Sequence, residues 1–432
     1  MRKILSTKLF KNTAWTAGGN GLMAAISFFS SIFVVRNLGP AEYGILQEMT
    51  AYFAVILNIE NMLNPNVFKK RLLEHPEESD DIVFTFGAAI GITGLVLSAL
   101  VTASYFIFGL PQKFLILSLL LFGMIFRFSN GISFYFDAHL ESVKGQISLN
   151  VGNTISSAYK VLMSFLSPIA LLQAVAVPIQ YFCTAFVHLY QYSRRPNKAG
   201  LTKLRIHKLF LMVTTSLPLF FSSFVDLFKD RFPIMFLGRV ATPSDLGFYG
   251  AGVKLTEPWL FVASALTISF WPKLVHSKKE GPPFYERALT LYFASVLYIF
   301  LSVALSGFFL SGFLIHNVLG PKYSGSLGVF QIQTFALVAQ SLSATFAIVE
   351  INEGLTKISL IRNFASLIIC IVALYLLVPL YHIEGASIAV LIANTFSCLI
   401  FPLFVYRIRW IWVCLVKSPF KFWGLVRQKM KE

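Results

Sequence analysis

Across 432 residues, 56% hydrophobic and only 13% charged side chains leave too little polar surface to wrap a water-soluble globule. With 44 phenylalanines and a mean hydropathy of +0.70, lipid is the expected solvent for most of the surface. The net charge of +16 does not make a nucleic-acid binder, which would need a basic face on a soluble domain.

A helix needs about 20 apolar residues to cross the hydrocarbon core, and on that measure the chain carries twelve spans. The first six cover residues 13–35, 45–62, 82–108, 115–136, 147–167 and 171–192. The second six cover 209–237, 248–270, 288–309, 327–348, 358–380 and 385–406. Continuous apolar runs without alternation argue against a membrane β-barrel. The expected fold is therefore all-α and polytopic.

Lysine and arginine set the orientation, because they accumulate in short cytoplasmic loops. With the N-terminus inside, segments 1–12, 63–81, 137–146, 193–208, 271–287, 349–357 and 407–432 hold 26 of the 36 basic residues. The outer connections hold only Arg36, Lys113, Arg239 and Lys322. Both termini are expected in the cytoplasm. The basic tail 407–432, with Trp410, Trp412 and Trp423 among its cations, suits anionic lipid headgroups. A cleavable signal peptide is not expected, since span 1 is too long for an h-region and carries Asn20. Cys183, Cys370, Cys398 and Cys414 lack metal or redox spacing and are expected as free buried thiols.

The chain repeats itself at an offset of 203 residues. Arg36, Pro40, Ala41, Glu42 and Gly44 after span 1 are matched in register by Arg239, Pro243, Ser244, Asp245 and Gly247 after span 7. A looser echo links Gly109-Leu-Pro with Gly320-Pro-Lys after spans 3 and 9. Six spans return the chain to its starting side, so the halves are parallel repeats related by an axis along the membrane normal. The predicted organisation is a six-helix bundle over 1–192, a basic linker over 193–208, a second bundle over 209–406, and the tail. Two such lobes around a central cavity suit alternating access.

The elements VVRNLGPAEYG, KDRFPIMFLG, LGFYGAGVKL and VPLYHIEGASIA resemble the polysaccharide-transporter family of the multidrug/oligosaccharidyl-lipid/polysaccharide exporter superfamily. The similarity extends over the whole chain, although Thr242 stands where a glycine is usual. The resemblance implies a flippase moving undecaprenyl-pyrophosphate-linked oligosaccharides across the bacterial inner membrane for O-antigen, capsule or exopolysaccharide synthesis. It also implies coupling to H+ or Na+ without a bound cofactor, and a polysaccharide polymerase and chain-length machinery as partners.

Charges inside hydrocarbon cost about 2.5–3.5 kcal/mol each on insertion scales, so they pair, snorkel or line a wet cavity. The in-span cations are Arg127, Lys160, Lys229, Arg231, Lys254 and Arg362; the acids are Glu48, Glu60, Asp226, Asp230, Glu257 and, near an inner end, Glu350. Polar stripes at helical spacing run through Asn20 and Ser27, through Asn58, through Asn153, Ser157 and Lys160, and through Ser222 and Asp226. Serine and threonine alone are explained by helix–helix packing. The stripes holding Lys160 or Asp226 point to a water-filled cavity that includes Asn20, Asn58 and Asn153. Asp226 with Lys229, and Lys254 with Glu257, are equally spaced for pairs within one helix. Glu42, Arg239 and Asp245, at outer helix ends, fit capping or topology.

A pyrophosphate headgroup wants Arg or Lys donors at low dielectric. Arg36, Lys160, Arg231 and Lys254 are the candidates for that contact, with Glu60, Asp226 and Glu257 as candidates for ion coupling. No Walker lysine loop or HExxH spacing is present, so an enzyme is not expected; a membrane polysaccharide polymerase usually carries a large outer loop. The stronger alternative is a cation-coupled multidrug or metabolite exporter of the same superfamily.

Overall fold

The computed structural model describes residues 2–62, 64–195, 204 and 206–429, without the side chains of 2–17, 20, 206, 208, 218, 219, 222 and 423–429. Among the described residues every regular element is helical. Eight helical stretches among the described residues are long and apolar enough to cross a membrane, the longest, Thr356–Phe404, holding the expected span 358–380 and all but the last two residues of 385–406. The expected spans outside that set, 45–62, 147–167 and 209–237, are three that carry polar stripes or several charges, and they too lie on helices. All twelve expected spans are accounted for.

The chain divides into two compact units, Met1–Phe224 and Val225–Glu432. The first holds α1 (Arg2–Leu38), α2 (Pro40–Leu57), α3 (Pro65–Glu74), α4 (Ser79–Phe108), α5 (Lys113–Met124), α6 (Asn130–Ala138), α7 (Ser142–Leu166), α8 (Ala170–Ala174), α9 (Ala176–Ser193) and the start of α10 (Ile206–Val240). The division falls inside α10 instead of at the linker. The start of α10 is anchored on the first unit, with Met212 buried among Phe68, Ile82, Phe86 and Phe136, and Ser216 Oγ accepting the Asn64 N–H at 3.2 Å.

The polar stripe of α7 explains how a serine- and asparagine-rich sequence lives in a membrane. Gln146, Asn153, Ser156, Ser157 and Ser164 are buried, while Ile155, Leu162 and Phe165 on the same helix are exposed. The helix is thus inside-out relative to a soluble one, with small polar groups satisfied against its neighbours α1 and α9. Ser156 Oγ donates to the Ala176 carbonyl at 2.8 Å, and Asn37 Nδ2 donates to Ser164 Oγ at 3.0 Å. Gly152 permits this approach, because a Cβ there would stand 2.6 Å from the Gln180 carbonyl oxygen on α9.

The second unit holds the rest of α10, then α11 (Pro243–Lys254), α12 (Glu257–Glu280), α13 (Pro282–Phe309), α14 (Ser311–Phe313), α15 (Leu327–Asn352), α16 (Thr356–Thr395), α17 (Phe401–Phe404) and α18 (Tyr406–Lys429). Its core joins Leu289, Tyr292, Phe293 and Phe300 of α13 to Phe346 of α15 and to Ile408, Ile411 and Leu415 of α18. The basic tail is therefore a helix docked on α13, fastened by Lys421 Nζ to Glu286 at 2.7 Å and Tyr298 OH to the Pro419 carbonyl at 3.0 Å. The α16 helix bends where Pro379 breaks its ladder and His382 takes φ 48°.

The two copies of the repeat start their second helix with proline at the first turn, Pro40 in α2 and Pro243 in α11. Their caps differ. Gly39 has φ 79° and ψ 166° with no side-chain cap, a conformation essentially reserved for glycine. Thr242 lies at φ −73° and closes a capping box with Asp245. Threonine stands at the usual glycine position because the backbone there no longer needs glycine. Glu42, in register with Asp245, instead accepts the Ala170 N–H at 2.7 Å.

Candidate functional site

A cluster of in-membrane polar groups lies in the second unit, where residues of α10, α15 and α16 line a pocket of about 220 Å³. Asp226, Lys229 and Asp230 from α10 face Gln340 and Ser343 of α15 and Arg362, Asn363 and Asn394 of α16. The sequence places them there by helical spacing: 226, 229 and 230 share one face of α10. Lys229 is 8% exposed and its Nζ donates to Asn394 Oδ1 at 3.2 Å. Asp226 has Asn363 as a hydrogen-bonding neighbour, and Asp230 is exposed.

Arg362, in the lining of this pocket, belongs to a closed ion pair. Arg362 and Glu350 are both fully buried, 3.1 Å apart, with Arg362 Nε also donating to both Glu350 oxygens at 3.2 Å. Arg362 Nη1 donates to Ser343 Oγ at 2.9 Å and to Ser397 Oγ. A guanidinium with a bidentate carboxylate and two hydroxyls is compensated well enough to persist in a medium without water.

The remaining candidates are dispersed. Glu60 is gripped by Arg127, whose Nε and Nη2 donate at 2.6 and 2.8 Å, with Asn130 adding 3.3 Å; Arg127 lies over the Tyr181 ring at 4.8 Å. Glu48 is similarly held by Lys113 at 2.8 Å. Lys254 and Glu257 pair within their own turn at 2.5 Å. Asn58 is buried, accepts from Asn61, and leaves its Nδ2 without a partner among the described residues. Asn153 joins helices, accepting from Ser27 Oγ at 3.0 Å and donating to the Met23 carbonyl at 3.3 Å. Arg36 is exposed in the last turn of α1. Lys160 is half-buried on α7, and Arg231 is half-buried beside Asp230, with its Nε unpartnered among the described residues. The side chains of Asn20 and Ser222 lie outside the described residues.

The pocket thus brings together Asp226 with Lys229 and Arg362, two cations that spacing alone did not single out for binding. The hint was available in Asn363 and Asn394, polar residues in an otherwise apolar stretch. No metal cluster of three or more His, Cys, Asp or Glu occurs among the described residues.

Similar architectures are known. An inward-facing multidrug resistance MATE transporter of the MOP superfamily superposes with TM-score 0.70 at 13% identity, over 94% of this chain and 96% of that one. The lipid II flippase MurJ, in an inward closed conformation, gives 0.65 at 16% identity, over 94% and 92%. The eukaryotic MATE transporter AtDTX14 gives 0.63 at 13% identity, over 96% and 99%. No functionally curated protein matches the chain by sequence. These likenesses define the fold, a multi-pass helical membrane architecture. Within that class, residues 9–277 match the family described as polysaccharide biosynthesis protein, and the chain belongs to it.

Proposed function

We propose that this protein flips undecaprenyl-pyrophosphate-linked oligosaccharide units across the bacterial inner membrane by alternating access, supplying surface polysaccharide synthesis. The observation that carries the proposal is the charged pocket on α10, α15 and α16 in a member of a polysaccharide biosynthesis family. An anionic headgroup is the cargo best served by Lys229, with Lys160 and Arg231 as further candidate contacts. The Lys254–Glu257 and Arg127–Glu60 pairs suit a structural role better than cargo binding, and Asp226 is the preferred acid for H+ or Na+ coupling. Both termini are assigned to the cytoplasm, transport involves no covalent chemistry, and a polymerase with its chain-length partners receives the product.

Complementation of a flippase-null bacterium tests this. Lys229→Ala, Lys160→Ala and Arg231→Ala should each reduce surface polysaccharide at normal protein level in the membrane, and Lys229→Arg should retain part of it. Normal export by all three alanine variants would overturn headgroup guidance by these cations.

A second reading rests on the pocket's two acids, Asp226 and Asp230, and on the MATE likeness: a cation-coupled exporter of drugs or metabolites. Efflux of cationic dyes that is lost in Asp226→Asn, without any polysaccharide phenotype, would favour it.

A further inference from the structure

The first unit carries a second cavity, unlike the pocket just described. It is a groove of about 750 Å³ bounded by α4, the 125–129 turn, α6 and the end of α9, and every lining residue belongs to this unit. Phe84, Ile92, Leu95, Ile125 and Leu189 line it together with the small residues Gly87, Ala88 and Gly91 of α4. One end alone is polar, where Asp80, Tyr192, Ser193 and Arg195 close it.

Arg195 is held rigidly at that end. Its side chain is 11% exposed and pairs with Asp80, which also accepts the Tyr192 hydroxyl. The guanidinium stacks on the Tyr192 ring at 3.6 Å and stands 5.3 Å from Tyr135. Asp80 takes Nη2. Nε and Nη1 are buried and have no hydrogen-bond partner among the described residues. Buried donors without acceptors are costly, and a ligand that supplies the acceptors removes that cost.

From this geometry we infer that the groove binds an anionic phospholipid, its phosphate on Arg195 Nε and Nη1 and one acyl chain along Gly87, Ala88 and Gly91. A long apolar trough with a pre-oriented guanidinium at one end matches a molecule with one charged end and a hydrocarbon chain. Guanidinium donors hold phosphate through charge-assisted hydrogen bonds, and the Asp80 contact keeps the fork from turning away. The remainder of the trough offers no group to recognise a sugar. The site is therefore separate from cargo handling and does not depend on the function proposed above.

Native mass spectrometry of the purified full chain, titrated with phosphatidylglycerol, phosphatidylcholine, undecaprenyl phosphate or inorganic phosphate, tests this. One saturable phosphatidylglycerol adduct is expected, at least tenfold preferred over phosphatidylcholine and not displaced by millimolar phosphate. Arg195→Gln should weaken it at least tenfold. Because that change also breaks the Asp80 pair, Gly91→Leu provides an independent arm. A Cβ at Gly91 meets nothing closer than 3.7 Å, so the helix tolerates the residue while the leucine fills the trough and removes the adduct. Equal binding of phosphatidylcholine, displacement by inorganic phosphate, or an adduct unchanged in both variants would each overturn the inference. Preferential uptake of undecaprenyl phosphate would overturn the phospholipid assignment and place the cargo's carrier there instead.

Discussion

Removing the charge of Glu350 is the most demanding test of how this protein tolerates ions in its interior. Glu350→Gln keeps the volume but leaves the Arg362 guanidinium, fully buried, hydrogen-bonded to the Ser343 and Ser397 hydroxyls and a neutral amide, without its carboxylate partner. Breaking a buried pair from one side costs about 3–5 kcal/mol. For a unit of this length each kcal/mol shifts the melting midpoint by about 2–4 °C, so a fall of roughly 6–20 °C is expected. A thiol-reactive dye can report the transition, since Cys370 and Cys398 are buried in the same unit. The double variant Glu350→Leu with Arg362→Leu should recover much of the loss, because neither charge is left uncompensated. Lys421→Gln is the control: its pair with Glu286 is about half-exposed on both sides and should change the midpoint little. A Glu350→Gln midpoint within about 2 °C of the parent, or a double variant no better than the single one, would refute the reasoning.

Two further outcomes follow from local geometry. Thr242→Ala should cost about 1 kcal/mol through its lost cap, whereas Gly39→Ala should cost about 1–3 kcal/mol through backbone strain alone, since nothing lies within 4 Å of its added Cβ; melting of the two variants under identical conditions checks the order. With N-ethylmaleimide at pH 8, the folded protein should take up one equivalent, at half-buried Cys183; Cys414, pushed up to about 11 by burial and then by the Glu286 carboxylate, should stay unmodified until unfolding, and intact mass with Cys183→Ser settles the count.

Much of the architecture was legible in the chain. Apolar runs must leave water, and inside lipid their backbone must bond to itself, so span number and helical class follow from composition and length. The repeat around Pro40 and Pro243 was equally visible, since proline marks a helix start whatever it packs against. The different caps were not, because Gly39 and Thr242 answer to backbone angles that no residue pattern states.

For the candidate site the boundary is sharper. Helical spacing determines that Asp226 and Lys229 share a face, and that Lys254 can reach Glu257. It does not say what that face meets. Glu60 finds Arg127 67 positions away, Lys229 finds Asn394 165 positions away, and Asn153 finds Ser27 126 positions away. A charge in hydrocarbon must be compensated, and the sequence alone imposes that demand. Which partner meets it depends on the packing angle and depth of neighbouring helices, and only the tertiary structure decides those.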